Sequence, residues 1–173
     1  MGLVQVATNT ITSSVNSFEL TGIDSDDVYA LFFHNVSFNT DAKDISLRVL
    51  ESGTPNTTTN YDQAFKLLRT DTTFSNSSST NANNFDVTTA IGNDTGETSQ
   101  GIIYIYNAFN SSEFTFFTLE QCQISHTALF LGKQGGAVFT SASQVNGIQI
   151  LGAIGSSSFR QGTFTLFKVI WYE

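Results

Sequence analysis

Cysteine and proline are nearly missing from this sequence, which has one residue of each among 173. A single cysteine excludes an intramolecular disulfide framework and a zinc site built from cysteines. Cys122 follows apolar Leu119 closely, and we expect it to be a small buried side chain. The lone Pro55 falls in the polar stretch Glu51–Asn60, which we therefore expect to form a surface loop.

Charged residues are also scarce, and most of them are acidic. Only 13% of the residues are charged, and 15 acidic against 7 basic side chains give a formal net charge of −8. A chain of this sign gains nothing from counterion release on nucleic acid and is repelled by anionic lipid. We therefore expect neither nucleic acid nor a membrane among its partners.

Long apolar runs are absent as well. No stretch approaches the roughly 20 apolar residues that a membrane-spanning helix needs. The first ten residues, MGLVQVATNT, lack the basic region and the apolar region of a secretory signal peptide. We expect a protein that is made in a cytoplasm.

The residues that are plentiful favour strands. Apolar residues make up 40% of the chain and 16 of them are Phe, so uncharged Ser, Thr, Asn and Gln must cover most of the surface. Phe, Val, Ile and Thr fit a pleated surface, whereas Ser, Thr and Asn compete with helical hydrogen bonds. Eight to ten short apolar segments are separated by turn signals. The sequence predicts an all-β protein, in which residues 1–173 form a single antiparallel β-sandwich with a jelly-roll-like arrangement.

Individual segments differ in how clearly they predict a strand. Val28–Phe38 predicts a central strand, because its even positions are mostly apolar and the other face is also apolar at its start. Residues 1–12 fit either a first strand or an arm extended from the domain. Tyr61–Leu68 fits a strand or a two-turn helix, and we favour the strand. Residues 70–84 predict a polar, low-complexity connection, and Gly132–Gly136 predicts the end of the strand before it.

The stretch Val145–Tyr172 predicts the two strands around which the chain is organised. Its two apolar runs are separated by a Gly/Ser-rich turn, which is typical of paired antiparallel strands. Apolar residues take even positions up to Leu166 and mostly odd positions from Phe167 onward. Because a half-buried strand keeps its phase, this change predicts a bulge or a strand end covered on both faces.

The two histidines, His34 and His126, are the first candidates for chemistry. Each is in phase with the apolar residues of its predicted strand, which favours a hydrogen-bonded histidine in the core or an interface over a catalytic one. No hydrolase nucleophile elbow, zinc-protease motif or phosphate-binding glycine loop accompanies them. The sequence therefore predicts no catalytic residue and no enzyme activity.

Acidic residues cluster in two predicted turns, and these are the candidates for a metal site. Asp24, Asp26 and Asp27 share one turn, and Asp94 and Glu97 share another. Carboxylates on loops suit calcium, but the spacing of a calcium-binding helix-loop-helix motif is absent and solvated turns explain both clusters. We expect no metal-binding or cofactor-binding residue, and a chain of this kind is typical of a structural or binding module.

Several segments resemble small virion proteins of marine tailed bacteriophages, including those of cyanophages. The similarity covers most of the chain and is strongest near its end. The segments that carry it are Phe18–Asp24, Ile45–Val49 with Ser52–Thr54, Asn60–Tyr61, Gly101–Asn107, Val145–Ile150 and Gly162–Val169.

The resemblance implies a β-sandwich on a phage particle, with no catalytic residue to carry over. Its first implication is a capsid decoration or cement protein on the head, made in the host cytoplasm and assembled into the virion. Its partners would be the major capsid protein, copies of itself in a homo-oligomer such as a trimer, or both. The alternative is a tail-fibre or receptor-binding module whose polar loops recognise host surface glycans.

Overall fold

The chain forms strands connected by turns and loops. A computed structural model of the protein describes residues 2–71, 73–152 and 157–171, and no helix occurs in these ranges, so none of their residues belongs to a membrane-spanning helix. Thirteen strands are present in the described ranges. They are β1 (Gly2–Ile11), β2 (Ser17–Thr21), β3 (Tyr29–Phe38), β4 (Ile45–Glu51), β5 (Thr54–Pro55), β6 (Tyr61–Arg69), β7 (Ser75–Ala82), β8 (Phe85–Asp86), β9 (Ser99–Tyr106), β10 (Thr115–Ile124), β11 (Phe130–Phe139), β12 (Val145–Gly152) and β13 (Phe159–Ile170).

The strands form two antiparallel sheets, which confirms the predicted β-sandwich. The large sheet has the order β1-β13-β3-β9-β10-β11-β6-β7, and the small sheet has the order β2-β12-β4-β5, with β8 also paired to β4. There are more strands than the eight to ten that we predicted. The additional strands are short or polar, and such segments carry no apolar alternation in the sequence.

Eight of the strands have the order of a jelly roll. Without the insertions β5–β7 and β10–β11, the remaining strands, renumbered from one to eight, follow the orders 1-8-3-6 and 2-7-4-5. The chain alternates between the sheets in this way in double-sheet jelly rolls. The two hairpins β6–β7 and β10–β11 extend the large sheet, because β10 pairs with β9 and β11 pairs with β6.

Phenylalanine rings fill the space between the sheets. Phe159 on β13 lies 4.7 Å from Phe38, and Phe164 on the same strand lies 5.1 Å from Phe18 on the small sheet, both measured between ring centroids. A second group of rings lies under the extension, where Phe85 packs 5.4 Å from Phe117. These edge-to-face, stacked and tilted contacts add to the stabilisation from burial.

The predicted pairing of the last two strands is wrong. β12 pairs with β2 and β4, whereas β13 pairs with β1 and β3, so the two strands lie in different sheets. The apolar pattern is the same whether two consecutive strands are neighbours in one sheet or lie in opposite sheets. In both arrangements each strand buries one face in the same core. The phase change at Leu166 is accompanied by a register shift on the neighbouring strand, between Gln5 and Ala7.

The expectations for the polar and glycine-rich segments are also wrong in part. Residues 75–82 form the edge strand β7 rather than a connection, because a strand paired on one side only can expose most of its Ser and Asn side chains. Gly132–Gly136 lies within β11, where a Cβ on Gly136 would come within 2.5 Å of the Phe117 carbonyl oxygen. The glycines there permit a close approach of strands and do not end the strand.

The strand pairings also settle how the first segment and the segment after Asn60 fold. Residues 2–11 form the edge strand β1 against β13 of the same chain, and Tyr61–Arg69 forms a strand. The expected loop Glu51–Asn60 contains the short strand β5. Cys122 is half-buried on the outer face of β10, and our expectation of a fully buried thiol is therefore wrong.

Candidate functional site

A polar cavity of about 380 Å³ opens beside β7, where the extension of the large sheet covers the edge of the small sheet. Two carboxylates, one ammonium, and several amides and hydroxyls line it. Its main polar lining residues are Asp44, Gln63, Ser77, Asn84, Asp86 and Lys133. Polar groups inside a β-sandwich are costly unless they are paired, so this cavity is the first candidate for a function.

Lys133 lies on the inner face of β11 and forms the floor of the cavity. Its place in the pairing, opposite Gln121 on β10 and Leu67 on β6, directs the side chain inward, and only 3% of the residue is exposed. The ammonium donates a hydrogen bond of 2.6 Å to the Asp86 carbonyl oxygen and lies 4.0 Å from the centroid of the Phe65 ring. Burial lowers the pKa of Lys133 to about 8.

Both oxygens of the Asp86 carboxylate accept hydrogen bonds from neighbouring side chains. It accepts hydrogen bonds from Ser46 at 3.3 Å, from Asn84 at 2.6 Å and from Gln63 at 3.2 Å. The backbone N–H of Asp86 donates in return to the Gln63 side-chain oxygen at 2.8 Å. Because Asp86 belongs to β8 and Gln63 to β6, these bonds join the two sheets, and Asp86 has a structural role.

The carboxylate of Asp44 lies at the side of the cavity and has hydrogen-bonding capacity that the described residues do not use. One of its oxygens accepts a hydrogen bond from the backbone N–H of Ala90. The other oxygen has no hydrogen-bond partner among residues 2–71, 73–152 and 157–171. Burial raises the pKa of Asp44, since the charged carboxylate is partly removed from water. Asp44 and Lys133 are therefore the two charged groups of the cavity that can still bind something.

The histidines belong to neither the cavity nor the core. His34 and His126 are both exposed, so neither is a core histidine, and a place in an interface stays a prediction for each. His34 follows Phe32 on the outer face of β3, and the register shift between Phe33 and Val36, next to the positive φ of Asn35, turns Val36 inward instead. His126 lies in the tight turn between β10 and β11.

In the acidic turn after β2, a lysine pairs with two of the three carboxylates. Lys168 on β13 lies 2.8 Å from Asp27 and 3.7 Å from Asp24, measured between nitrogen and carboxylate oxygen. A hydrogen bond from Tyr29, followed by the charge of Lys168, lowers the pKa of Asp24, and a hydrogen bond from Lys168 lowers the pKa of Asp27. Such an ion pair is a weak place for a cation, and no described group of three or more His, Cys, Asp or Glu residues could hold a metal ion.

The second acidic turn is closed by a local hydrogen bond. The Glu97 carboxylate accepts from the backbone N–H of Asp94 at 2.9 Å, and the Asp94 carbonyl accepts from the N–H of Glu97. This reciprocal arrangement stabilises the turn. The two acidic turns thus have separate structural roles and do not converge on one site.

A second candidate feature is a row of apolar side chains on the outer face of the large sheet. The pairings place these residues next to one another on β13, β3, β9, β10 and β11. Tyr104 and Phe116 are the most exposed rings among them, at 37% and 44%. We call this surface the aromatic row, and its members are Phe167, Phe32, Ile102, Tyr104, Tyr106, Phe116 and Val138. Contiguous apolar surface of this kind marks protein interfaces more often than isolated exposed side chains do.

Sequence reasoning missed both features. Lys133 stands between Gly132 and Gln134 in a segment that predicts a turn, and nothing local shows that it points into the interior. The aromatic row is not distinguishable from core in the sequence, because Gly101–Asn107 is apolar on both faces and the pattern does not reveal which face is covered. The one available signal is that strands such as β9 carry more apolar residues than a strand with one buried face needs.

The fold and these two features define a class: a jelly-roll β-sandwich with an extended large sheet, an outer aromatic row and a polar cavity. Comparisons do not reduce this class to a particular family. No family model, no curated protein and no solved structure matches the chain.

Proposed function

We propose that the protein is a virion structural protein, a capsid decoration protein that sits as a homo-oligomer on the head of a bacteriophage. The resemblance of its strands to small phage virion proteins supports this proposal. The jelly-roll sandwich suits a body that is held by other proteins, because both of its sheets can present broad, rigid faces. Neither an enzyme activity nor a cofactor belongs to the proposal.

The aromatic row is the observation that carries the proposal. None of its seven members is charged, whereas the whole chain carries a formal charge of −8. Glu120 and Asp62 lie opposite Ile102 and Val138 at the borders of the row. Two copies therefore meet with the least repulsion over the row itself, where the exposed rings of Tyr104 and Phe116 supply the apolar area to bury. The partner that the row fits is a second copy of this chain, which gives the homo-oligomer.

Sedimentation of the purified protein tests the self-association. We expect an oligomer for the natural sequence and a monomer after Tyr104→Ser with Phe116→Ser, because the double substitution removes the most exposed rings of the row. Phe74→Ser is the control, since Phe74 is 57% exposed and lies outside the row. A monomer of the natural sequence at every concentration, or dissociation by the control alone, would refute the role of the row.

Rebinding to phage particles tests the location. Particles stripped of the protein should take it up again from solution, while free coat subunits should not, because many weak contacts add up only on an assembled shell. Failure of stripped heads to rebind the protein would contradict a decoration role.

The cavity favours one alternative function, a tail-fibre or receptor-binding module that recognises host glycans. A polar cavity with unused donors and acceptors is a feature that a purely structural protein does not need. The number of copies per particle separates the two functions, since hundreds of copies indicate the head and a few tens or fewer indicate the tail.

A further inference from the structure

The geometry of the cavity beside β7 points to a binding site for a neutral sugar residue, held between the ammonium of Lys133 and the carboxylate of Asp44. This site goes beyond the proposed decoration role, which concerns the opposite, outer face of the large sheet. The cavity volume of about 380 Å³ lies in the lower part of the range of small-molecule sites.

The unused hydrogen-bonding capacity of the two charged groups sets the first requirement on the ligand. Lys133 has three N–H donors, and among the described residues only the Asp86 carbonyl oxygen accepts from it. Asp44 uses one oxygen for the Ala90 N–H and leaves the other without a partner in the described chain. A ligand must therefore accept from Lys133 and donate to Asp44, which a pair of hydroxyl groups does.

The charges of the cavity set the second requirement. An anion would meet the carboxylates of Asp44 and Asp86, and a cation would meet the buried ammonium of Lys133 on the floor. Either ligand would bring like charges together in a partly desolvated space, where their repulsion is strong. A neutral polyhydroxylated ligand avoids both conflicts.

The mouth of the cavity fits the same class of ligand. Ser77 and Ser79 on the edge strand β7 place hydroxyl groups there, and Asn84 and Thr88 lie buried further in. Hydroxyl and amide groups both donate and accept, so they match the mixed donors and acceptors of a sugar ring. Behind this lining, the Phe65 ring packs 4.0 Å from the Lys133 ammonium, measured to the ring centroid, and helps to hold it at the floor.

Titration calorimetry and ligand-observed NMR with glucose, galactose, mannose and N-acetylglucosamine test the site on the whole protein. We expect at least one of these neutral sugars to bind, and glucuronate and glucosamine to bind at least tenfold more weakly. Absence of binding by every neutral sugar, or equal binding of the charged analogues, would overturn the proposal. A methyl glycoside and a disaccharide of the bound sugar distinguish a free monosaccharide from the end of a longer chain.

Two aspartates form a matched pair for mutagenesis. Asp44→Asn should weaken sugar binding at least tenfold, because it replaces the free acceptor with a donor while an oxygen remains for Ala90. Asp62→Asn is the control, since Asp62 also accepts from a backbone N–H, that of Asn81, but lies on the outer face of β6. Equal effects of the two substitutions would contradict the role of Asp44.

A second variant covers the case in which Asp44→Asn does not fold. Ser77→Trp changes an exposed side chain of the edge strand and should close the mouth, so that binding is lost while the unfolding temperature is kept. Retained binding in this folded variant would refute the assignment to the cavity. Sugar binding is measured on the isolated protein and head binding on particles, so either proposal can fail without the other.

Discussion

Lys133 is the residue whose environment departs most from what its type prefers. A buried ammonium is stabilised here by a carbonyl oxygen and an aromatic ring, and no ion pair to it occurs among the described residues. Desolvation therefore dominates, and the pKa of Lys133 falls from 10.5 to about 8. Because the pKa of Lys133 differs between the folded and the unfolded protein, the free energy of unfolding depends on pH.

The stability of the protein should rise between pH 7.5 and 9.5. In this range Lys133 loses its proton in the folded protein but keeps it in the unfolded chain, so the unfolded state binds more protons and is disfavoured as the pH increases. The gain in the free energy of unfolding is about 2 kcal/mol. Denaturant titrations at several pH values measure it, and Lys133→Met should remove the rise.

The same slope in the Lys133→Met variant would show that another group is responsible. Tyr61 sets the upper limit of the range, because burial raises its pKa above 10 and the stabilisation from its neutral form is lost at higher pH. Measurements that stop at pH 9.5 avoid this opposing effect.

Two glycines of β11 allow a second test at the scale of single atoms. Gly136→Ala should destabilise the protein by about 2 kcal/mol, because the new methyl group would lie 2.5 Å from the Phe117 carbonyl oxygen of the neighbouring strand. Gly132→Ala should change stability little, since its nearest neighbour is the flexible Leu68 side chain at 3.3 Å. Thermal unfolding of both variants measures the difference, and equal melting temperatures would contradict it.

Among the strands, position within the sheet decides what the sequence reveals. β3 and β9 are recognisable because interior strands concentrate apolar residues. β7 is not, because an edge strand needs only backbone bonds to one neighbour, and its Ser and Asn side chains have no apolar period. The sheet assignment of β12 and β13 also escapes the sequence, since hydrophobic phase shows which face is buried but not which partner strand lies alongside.

The rate of amide hydrogen exchange should be lower in strands that have a neighbour on both sides than in edge strands. Amides of β13 should exchange slowest, because this strand lies between β1 and β3 and most of its apolar side chains are buried, whereas amides of β7 should exchange fastest. The difference in opening free energy should be about 2 kcal/mol or more. Mass spectrometry of peptic fragments measures it, and similar protection of β7 and β13 would contradict the order.

At the scale of the whole molecule, the fold class is the property that the sequence predicts best, and the partners are the property that it predicts least. Sixteen Phe residues among many Ser, Thr and Asn residues were sufficient to predict an all-β sandwich. The cavity could not be predicted, since its walls come from β4, β6, β7, β8 and β11 and meet only through long-range pairing. The overall charge of −8 is a property of the same scale and governs how copies approach one another.

Self-association should strengthen with salt. Negative copies repel one another at low ionic strength, and about 0.5 M salt shortens the screening length to a few ångströms, while burial of the aromatic row is not weakened. The dissociation constant should fall at least about threefold between 0.05 and 0.5 M NaCl, an estimate that follows from this screening. Sedimentation at both salt concentrations measures it, and weaker association at high salt would indicate an interface made of ion pairs instead.

The central place of β13 also has a consequence for how the protein is made. β13 separates β1 from β3, and β12 separates β2 from β4, so each sheet contains early strands that are joined only by a late one. A nascent chain on the ribosome therefore cannot complete the small sheet until Val145–Gly152 has emerged from the exit tunnel, nor the large sheet until Phe159–Ile170 has emerged. Before β12 and β13 are available, the early strands lack these neighbours and expose apolar side chains that chaperones can bind.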